Sequence, residues 1–254
     1  MRGWYNKVMQ QDVYREINDI FGDSQISFMN HGFCPADPEV ENLPFKHQIT
    51  LYNKALENLD LYEKNILEIG CGRGGGSKWI IENKPITSYY ACDITPENII
   101  FCAKNSNHHN LNYILGDAQN LHYPDESFDL IICIESCHGY ENLDLFFENA
   151  YRVLKKNGRL VLMDNYGISQ KALDNGLRSL DTIKKSIGKF NILNYEDITE
   201  NVKAACLEDQ ELMVQWISEK TISEFMTFVS SQSYLRYSNK HWGYYKFIFD
   251  KSIL

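Results

Sequence analysis

The chain has no run of 18 apolar residues, no C-x-x-C pair, no excess of basic side chains, no internal repeat and no low-complexity segment. Each absence removes a class of protein. Without a long apolar run, no membrane span is expected. Lys and Arg number 25 against 34 Asp and Glu, giving a net charge of −9 and a pI of about 5.3. A protein that grips polyanions presents a basic face, so no nucleic-acid partner is expected. The seven cysteines are odd in number, and Cys71, Cys92 and Cys133 sit in or beside apolar runs. They read as reduced, buried small hydrophobes of a cytoplasmic protein. A zinc cluster drawn from Cys133, Cys137 and His138 lacks a fourth ligand, and no metal is expected. The opening stretch "MRGWYNKVMQQDVYREI" is amphipathic and carries acids, unlike a signal peptide.

What is present is a globular composition, with 44% hydrophobic and 13% aromatic residues in 254. That suits one large α/β domain or two small ones. Short apolar runs alternate with helical patterns from residue 65 onward. "NILEI" ends at a cluster in which five of the eight residues after Glu68 are glycine. "SKWIIENK" has helical spacing, and "TSYYACD" is rich in strand formers. "TPENIIFCAKN" opens with Thr95 as N-cap and Pro96 at the first helical position. "LNYILGD", "FDLIICIE" and "KKNGRLVLMDN" supply three more strands, the second apolar enough to be buried on both faces. This rhythm predicts a Rossmann-like parallel sheet with helices on both faces. From 166 to about 220 the chain reads as helical. "EFMTFVSSQSYLRY" and "HWGYYKFIFD" then read as two closing strands, paired antiparallel. The expected organisation is a helical cover over 1–60 and a catalytic domain over 61–254, with a helical substrate cap at 166–220.

Glycine loses more backbone freedom on folding than any other residue, so the cluster needs a reason. A flexible linker does not sit between a buried strand and a helix. A strand, glycine-rich turn and helix form a ligand site at the carboxyl ends of the strands. Glu68, Asp93 and Asp117 end three successive strands around one crevice. An acid at Asp93 can hold both ribose hydroxyls of either NAD or S-adenosylmethionine (SAM). The pattern E-x-G-x-G-x-G from Glu68 to Gly74 departs from the dinucleotide G-x-G-x-x-G. It offers a carboxylate to the ammonium end of SAM. The extra glycines Gly75 and Gly76 are expected to let the cofactor or a bulky acceptor approach the helix closely.

"LEIGCGRGGG", "CDITPENI", "GDAQNLHYPDESFDLIICIES" and "NAYRVLKKNGRLVLMD" resemble the successive motifs of class I SAM-dependent methyltransferases. "HQITLYNKAL", "ESCHGYENL" and "SQSYLRY…GYYKFIFDK" add a closer resemblance to the phthiotriol/phenolphthiotriol dimycocerosate and related polyketide or sugar O-methyltransferases. The resemblance implies a seven-strand sheet with its last strand antiparallel. It implies SAM as cofactor, S-adenosylhomocysteine as product, and a small-molecule acceptor of secondary metabolism. Carried onto this sequence, Glu68, Gly70, Cys71 and Gly72 line the methionine end. Asp93 binds ribose, Ile94 packs on adenine, Asp117 and Ala118 meet the adenine edge, and Ile134 and Glu135 line the floor. His138 is the candidate general base. An aliphatic hydroxyl is a poor nucleophile until its proton leaves, and an imidazole titrates near neutrality. Glu135, Asp164 and His138 are also placed to be weighed as a Mg²⁺ set. His47 and Tyr52 are candidates in the cover, Asn30 and Phe33 in the lid-like "FMNHGF", and Tyr140 beside the base. Trp216, Tyr234, Tyr237, Trp242 and Tyr244 read as core and strand pairing before substrate pocket. The D/N-P-P-Y tetrapeptide of exocyclic amine methylation is absent, and Cys34 precedes a proline rather than following one. N-methylation of a small amine and a non-catalytic SAM-binding module stay open beside O-methylation.

Overall fold

A computed structural model describes residues 7–251; the first six residues of the amphipathic opening stretch lie outside them. The chain begins with α1 (Lys7–Phe21) and α2 (Lys46–Leu56), then alternates through β1 (Asn65–Ile69), α3 (Gly75–Asn83), β2 (Ser88–Asp93), α4 (Pro96–Asn105) and β3 (Leu111–Leu115). β4 (Phe128–Ile134) leads through a 3-10 turn at Cys137–Gly139 into α5 (Leu143–Val153) and β5 (Leu154–Gly167). There follow α6 (Gln170–Asp174), α7 (Leu180–Ser186), β6 (Asn191–Asp197), α8 (Thr199–Trp216), α9 (Lys220–Ser238) and β7 (Trp242–Asp250).

The seven strands lie in the order β3-β2-β1-β4-β5-β7-β6, with β7 antiparallel to both neighbours. This is the seven-strand sheet with an antiparallel last strand that the sequence motifs imply. Side chains alternate across it. Leu67, Ile69, Ile131, Cys133, Leu160 and Leu162 meet α5 on one face. Ile66, Ala91, Leu130, Ile132, Val161 and Met163 meet α2, α3 and α8 on the other. All seven cysteines are free thiols; six are buried and Cys34 is half-buried. No described helix is long and apolar enough to cross a membrane. Strand order reverses between β1 and β4, which opens a crevice at their carboxyl ends.

Two expectations are corrected. "EFMTFVSSQSYLRY" is not a strand but lies in α9. Its buried residues Ile222, Ser223, Met226, Ser230, Ser233 and Tyr237 lie along one helical face, with Ile222, Met226, Ser230, Ser233 and Tyr237 three or four positions apart. Three of the six are serines, so the apolar pattern that would announce a helix is diluted, while the exposed Phe228 and Val229 imitate a strand. The partner strand of β7 lies instead inside the region read as wholly helical. β6, "NILNYED", is an edge strand with Leu193 and Tyr195 about half exposed. Its lack of a buried face left it no alternating signal. β5 runs longer than expected because Asn157, at φ +61, makes a bulge rather than a full turn.

Candidate functional site

A cavity of about 270 Å³ occupies the crevice. Gly70, Cys71 and Gly72 line it from beyond β1, Asp93 and Ile94 from β2, and Asp117 and Ala118 from beyond β3. Ile134, Glu135, His138 and Tyr140 line it from β4 and its turn, and Asn30 and Tyr52 from the N-terminal segment. The elements that meet here are far apart in sequence, and strand ends bring them together. Asp93 is buried at the end of β2. Its carboxylate accepts from the backbone N–H of Gly72 at 2.8 Å and of Thr95 at 2.9 Å, and from Asn98 at 3.2 Å. Burial pushes its pKa up, and these donors favour the ionised form. Asp117 is fixed as an acceptor for the Gln119 N–H at 2.9 Å.

The glycines divide into two groups. Gly70 (φ +79) and Gly72 (φ +53) adopt left-handed backbone on the cavity wall. A Cβ on Gly70 would stand 2.0 Å from Ser136 Oγ, so this glycine lets the turn after β1 press against the turn after β4. Gly75 and Gly76 do not reach the cavity. A Cβ on Gly75 would meet the Phe28 ring at 2.9 Å, and one on Gly76 the Tyr52 ring at 1.9 Å. The expectation that they admit a ligand is corrected: they admit aromatic rings of the N-terminal segment.

Three further candidates lie away from the cavity. Glu68 stands behind its wall, with a carboxylate that accepts from Tyr52 at 2.8 Å, from Tyr89 at 2.9 Å and from Ser77. Phe33 packs among the residues between α2 and the sheet, with Lys54 over its ring. His47 is fully buried, 2.7 Å from Asp209, and ties α2 to α8. The sequence told these apart poorly because a buried polar residue and a ligand-facing one look alike in a single chain.

His138 is the best-defined reactive group. Its Nδ1 stands 2.7 Å from Asp164 Oδ1, and its backbone N–H donates to Asp164 Oδ2 at 2.9 Å. Asp164 is wholly buried at the end of β5. An ionised carboxylate only accepts, so Nδ1 holds the proton and Nε2 keeps the lone pair when the ring is neutral. Burial works against a charged ring, but Asp164 outweighs it and raises the His138 pKa above its ordinary value. Burial would also raise Asp164, yet His138 and two backbone N–H groups hold its carboxyl below the usual range. Asp164 thus holds His138 with both oxygens, Oδ1 on the imidazole and Oδ2 on the backbone N–H, and the Mg²⁺ set drawn from Glu135, Asp164 and His138 is not among the compact ligand clusters of the described residues.

Glu135 has left-handed backbone at φ +49 and accepts from the His31 N–H at 2.9 Å and from Tyr244 at 3.0 Å. His31 Nδ1 stands 2.9 Å from its other oxygen. Tyr140 shares a 2.7 Å hydrogen bond with Ser136. Tyr14, His31, Ser136, Gln119 and Trp242 also line the cavity. Of these, His31 had a signal: it lies in "FMNHGF", between the two residues taken from that stretch. From the 166–220 segment Leu177 reaches the wall, while Val229 of α9 and Trp242 of β7 complete that side.

Arg73, in the middle of the glycine cluster, points away from the cavity and is 3% exposed. Its guanidinium donates to Ile26 O at 2.7 Å, Ser24 O at 3.0 Å and Asn18 at 2.7 Å, and lies 3.6 Å over the Phe101 ring. Burial lowers its pKa to about 10, so it stays charged at neutral pH. Arg73→Ala would strand several buried acceptors and should cost about 3 kcal/mol of stability in denaturant unfolding, with Arg73→Lys recovering little because it lacks the fork.

Residues 67–162 match a family model described as a methyltransferase domain. The fatty-acid O-methyltransferase of Mycolicibacterium smegmatis is 32% identical over 167 residues, covering 62% of this chain and 61% of that protein. The phthiotriol/phenolphthiotriol dimycocerosates methyltransferase of Mycobacterium leprae is 33% identical over 148 residues, covering 56% and 55%. The chain thus spans less than two thirds of the length of these curated relatives. Among solved structures the cyclase SpnF superposes with a TM-score of 0.74 at 17% identity, covering 98% of both chains. The fold is that of class I methyltransferases.

Proposed function

From the class I methyltransferase fold and the methyltransferase-domain match over residues 67–162, we propose that this chain is a SAM-dependent methyltransferase. In this reading it transfers the methyl group to a hydroxyl of a small lipid-, polyketide- or sugar-like acceptor, with His138 as general base. The observation that carries the reading is His138 on the wall of a cavity built from the strand ends, backed by the buried Asp164. The names of the relatives support the lipid-like acceptor class.

The cavity suits the cofactor. Asp93, with Gly72, Thr95 and Asn98 already donating to it, keeps an acceptor position on Oδ2 for a ribose hydroxyl, Gly70 and Gly72 expose backbone, and Asn30 Oδ1 is a buried acceptor with no partner of its own, fit for an ammonium. When bound, SAM supplies an electrophilic methyl on a sulfonium. The chain's own work is then orientation, exclusion of water and removal of one proton. Glu68 acts from behind, holding Tyr52 and the first turn of α3 in place. His138 Nε2 takes the acceptor's proton while Asp164 stabilises the imidazolium that forms.

Formation of S-adenosylhomocysteine across a panel of hydroxyl, carboxylate and amine acceptors tests the proposal. Turnover with a hydroxyl acceptor and a mass gain of one methylene supports it. Turnover confined to amines would favour the N-methylation reading, and SAM binding without turnover a non-catalytic module. Asp93→Ala should weaken SAM binding by about 2 kcal/mol, roughly thirtyfold, through loss of charge-assisted hydrogen bonds. Calorimetric titration with SAM checks this, and an unchanged Kd would refute the ribose role.

A further inference from the structure

Outside the cavity, Cys34, His47 and Glu208 bring a thiol, an imidazole nitrogen and a carboxylate within 4.8 Å of one another. Cys34 follows the segment that lines the cavity through Asn30 and His31, His47 lies in α2, and Glu208 lies in α8. We propose that these three side chains form a zinc site that fastens the segment after His31 to α2 and α8.

The geometry is close to what the ion requires. Zn²⁺ takes nitrogen and oxygen at about 2.0–2.2 Å and thiolate at about 2.3 Å, which sets the edges of a tetrahedron at roughly 3.3–3.8 Å. Cys34 Sγ lies 3.1 Å from Glu208 Oε1, and His47 Nε2 lies 3.2 Å from Glu208 Oε2. Glu208 thus reaches each of the other two ligands with one oxygen, and all three ligand atoms lie within 4.8 Å of one another.

The imidazole is prepared for a ligand. His47 is 0% exposed, and its buried Nε2 makes no aligned hydrogen bond, only the 3.2 Å approach to Glu208 Oε2. On the other side of the ring, Nδ1 stands 2.7 Å from Asp209 Oδ1, and Gln48 donates to Asp209 Oδ2 at 2.6 Å. Asp209, itself 1% exposed, therefore fixes the tautomer that leaves the Nε2 lone pair facing Cys34 and Glu208. A carboxylate behind a histidine in this way orients metal-binding imidazoles. Lys46, whose charge also reaches Cys34, is already paired with Glu41 at 2.6 Å. Cys34 and Glu208 are partly exposed, which gives the ion a path in and leaves water as the fourth ligand. On binding, the thiol proton passes to solvent and the sulfur lone pair forms the bond to the metal.

Cobalt(II) is the probe, titrated into the full chain after chelator treatment and reduction. One equivalent should bind with tetrahedral visible bands and a near-ultraviolet thiolate charge-transfer band, and zinc should displace it. Cys34→Ser should abolish the charge-transfer band. Glu208→Gln, at a half-exposed position that folding tolerates, should weaken binding at least tenfold. Circular dichroism of both variants should match the parent. Absence of a thiolate band in the parent overturns the proposal, as does cobalt binding unaltered in both variants.

Discussion

Replacing His138 by Ala should lower turnover on a hydroxyl acceptor by about a hundred- to ten-thousand-fold while leaving SAM affinity within a few-fold. The size follows from the chemistry. Without a base the hydroxyl must attack with its proton in place, and His138 holds that position with a ring that Asp164 has already oriented at 2.7 Å. Asp164→Asn should produce a loss of at least a hundredfold by a different route. Its amide replaces one of the two acceptor oxygens that take Nδ1–H and the His138 backbone N–H by a donor, so the ring loses its favoured tautomer. The two variants separate in their pH behaviour. Neutral imidazole is the active form, so turnover should rise with pH and level off above the His138 pKa. In the parent that pKa lies above the ordinary histidine value because Asp164 overcomes burial. In Asp164→Asn burial acts without that opposition, and the limb should move to lower pH. Unchanged kcat for His138→Ala would remove the base, and an unmoved limb in Asp164→Asn would remove the positioning role of Asp164.

Why was this pair half legible? "ESCHGY" after β4 exposed His138 as a strand-end histidine, and "LMDN" placed Asp164 at the next strand end. That β4 and β5 run side by side and parallel follows from the β-α-β rhythm, which puts both residues on the same rim. The sequence therefore carried their proximity but not the choice between a shared metal and a direct hydrogen bond. That choice depends on the short turn Cys137–Gly139, which swings the His138 backbone N–H onto the same carboxylate. The cavity wall was legible at most strand ends, as at Gly70, Asp93, Asp117 and Glu135, but not at Glu68, which stands behind it. It was illegible where the N-terminal segment crosses back, because nothing local in "FMNHGF" says whether Asn30, His31 or Phe33 turns inward. In the fold, α9 was misread for a related reason: serines fill core positions where the helix passes close to its neighbours, and apolar periodicity cannot report a small polar residue in the core.

The largest effect on stability should come from Gly76→Ala, a change that adds a single methyl group. The new Cβ would lie 1.9–2.4 Å from atoms of the Tyr52 ring, well inside any real contact. The ring cannot simply turn aside. Its hydroxyl donates to Glu68 at 2.8 Å, and Glu68 is a buried carboxylate whose other oxygen accepts from Tyr89 and Ser77. Moving Tyr52 would therefore leave a buried anion short of a donor as well as overpack the contact between α2 and α3. Overpacking and a lost buried hydrogen bond together suggest about 3 kcal/mol or more. For a chain of this size that corresponds to a fall in Tm of roughly 10 °C. Tyr52→Phe, which keeps the ring, should not rescue Gly76→Ala, whereas Tyr52→Ala should make the second substitution nearly silent in a double-mutant cycle. Gly70→Ala should lower SAM affinity as well as stability, because Gly70 lies on the cavity wall while its new Cβ would stand 2.0 Å from Ser136 Oγ in left-handed backbone. If Gly76→Ala instead weakened SAM binding with the melting temperature unchanged, the glycine would belong to the ligand after all. If it melted as predicted with affinity preserved in the folded fraction, the cluster after β1 carries two demands at once: Gly70 and Gly72 for the crevice wall, and Gly75 and Gly76 for the aromatic rings of the N-terminal segment.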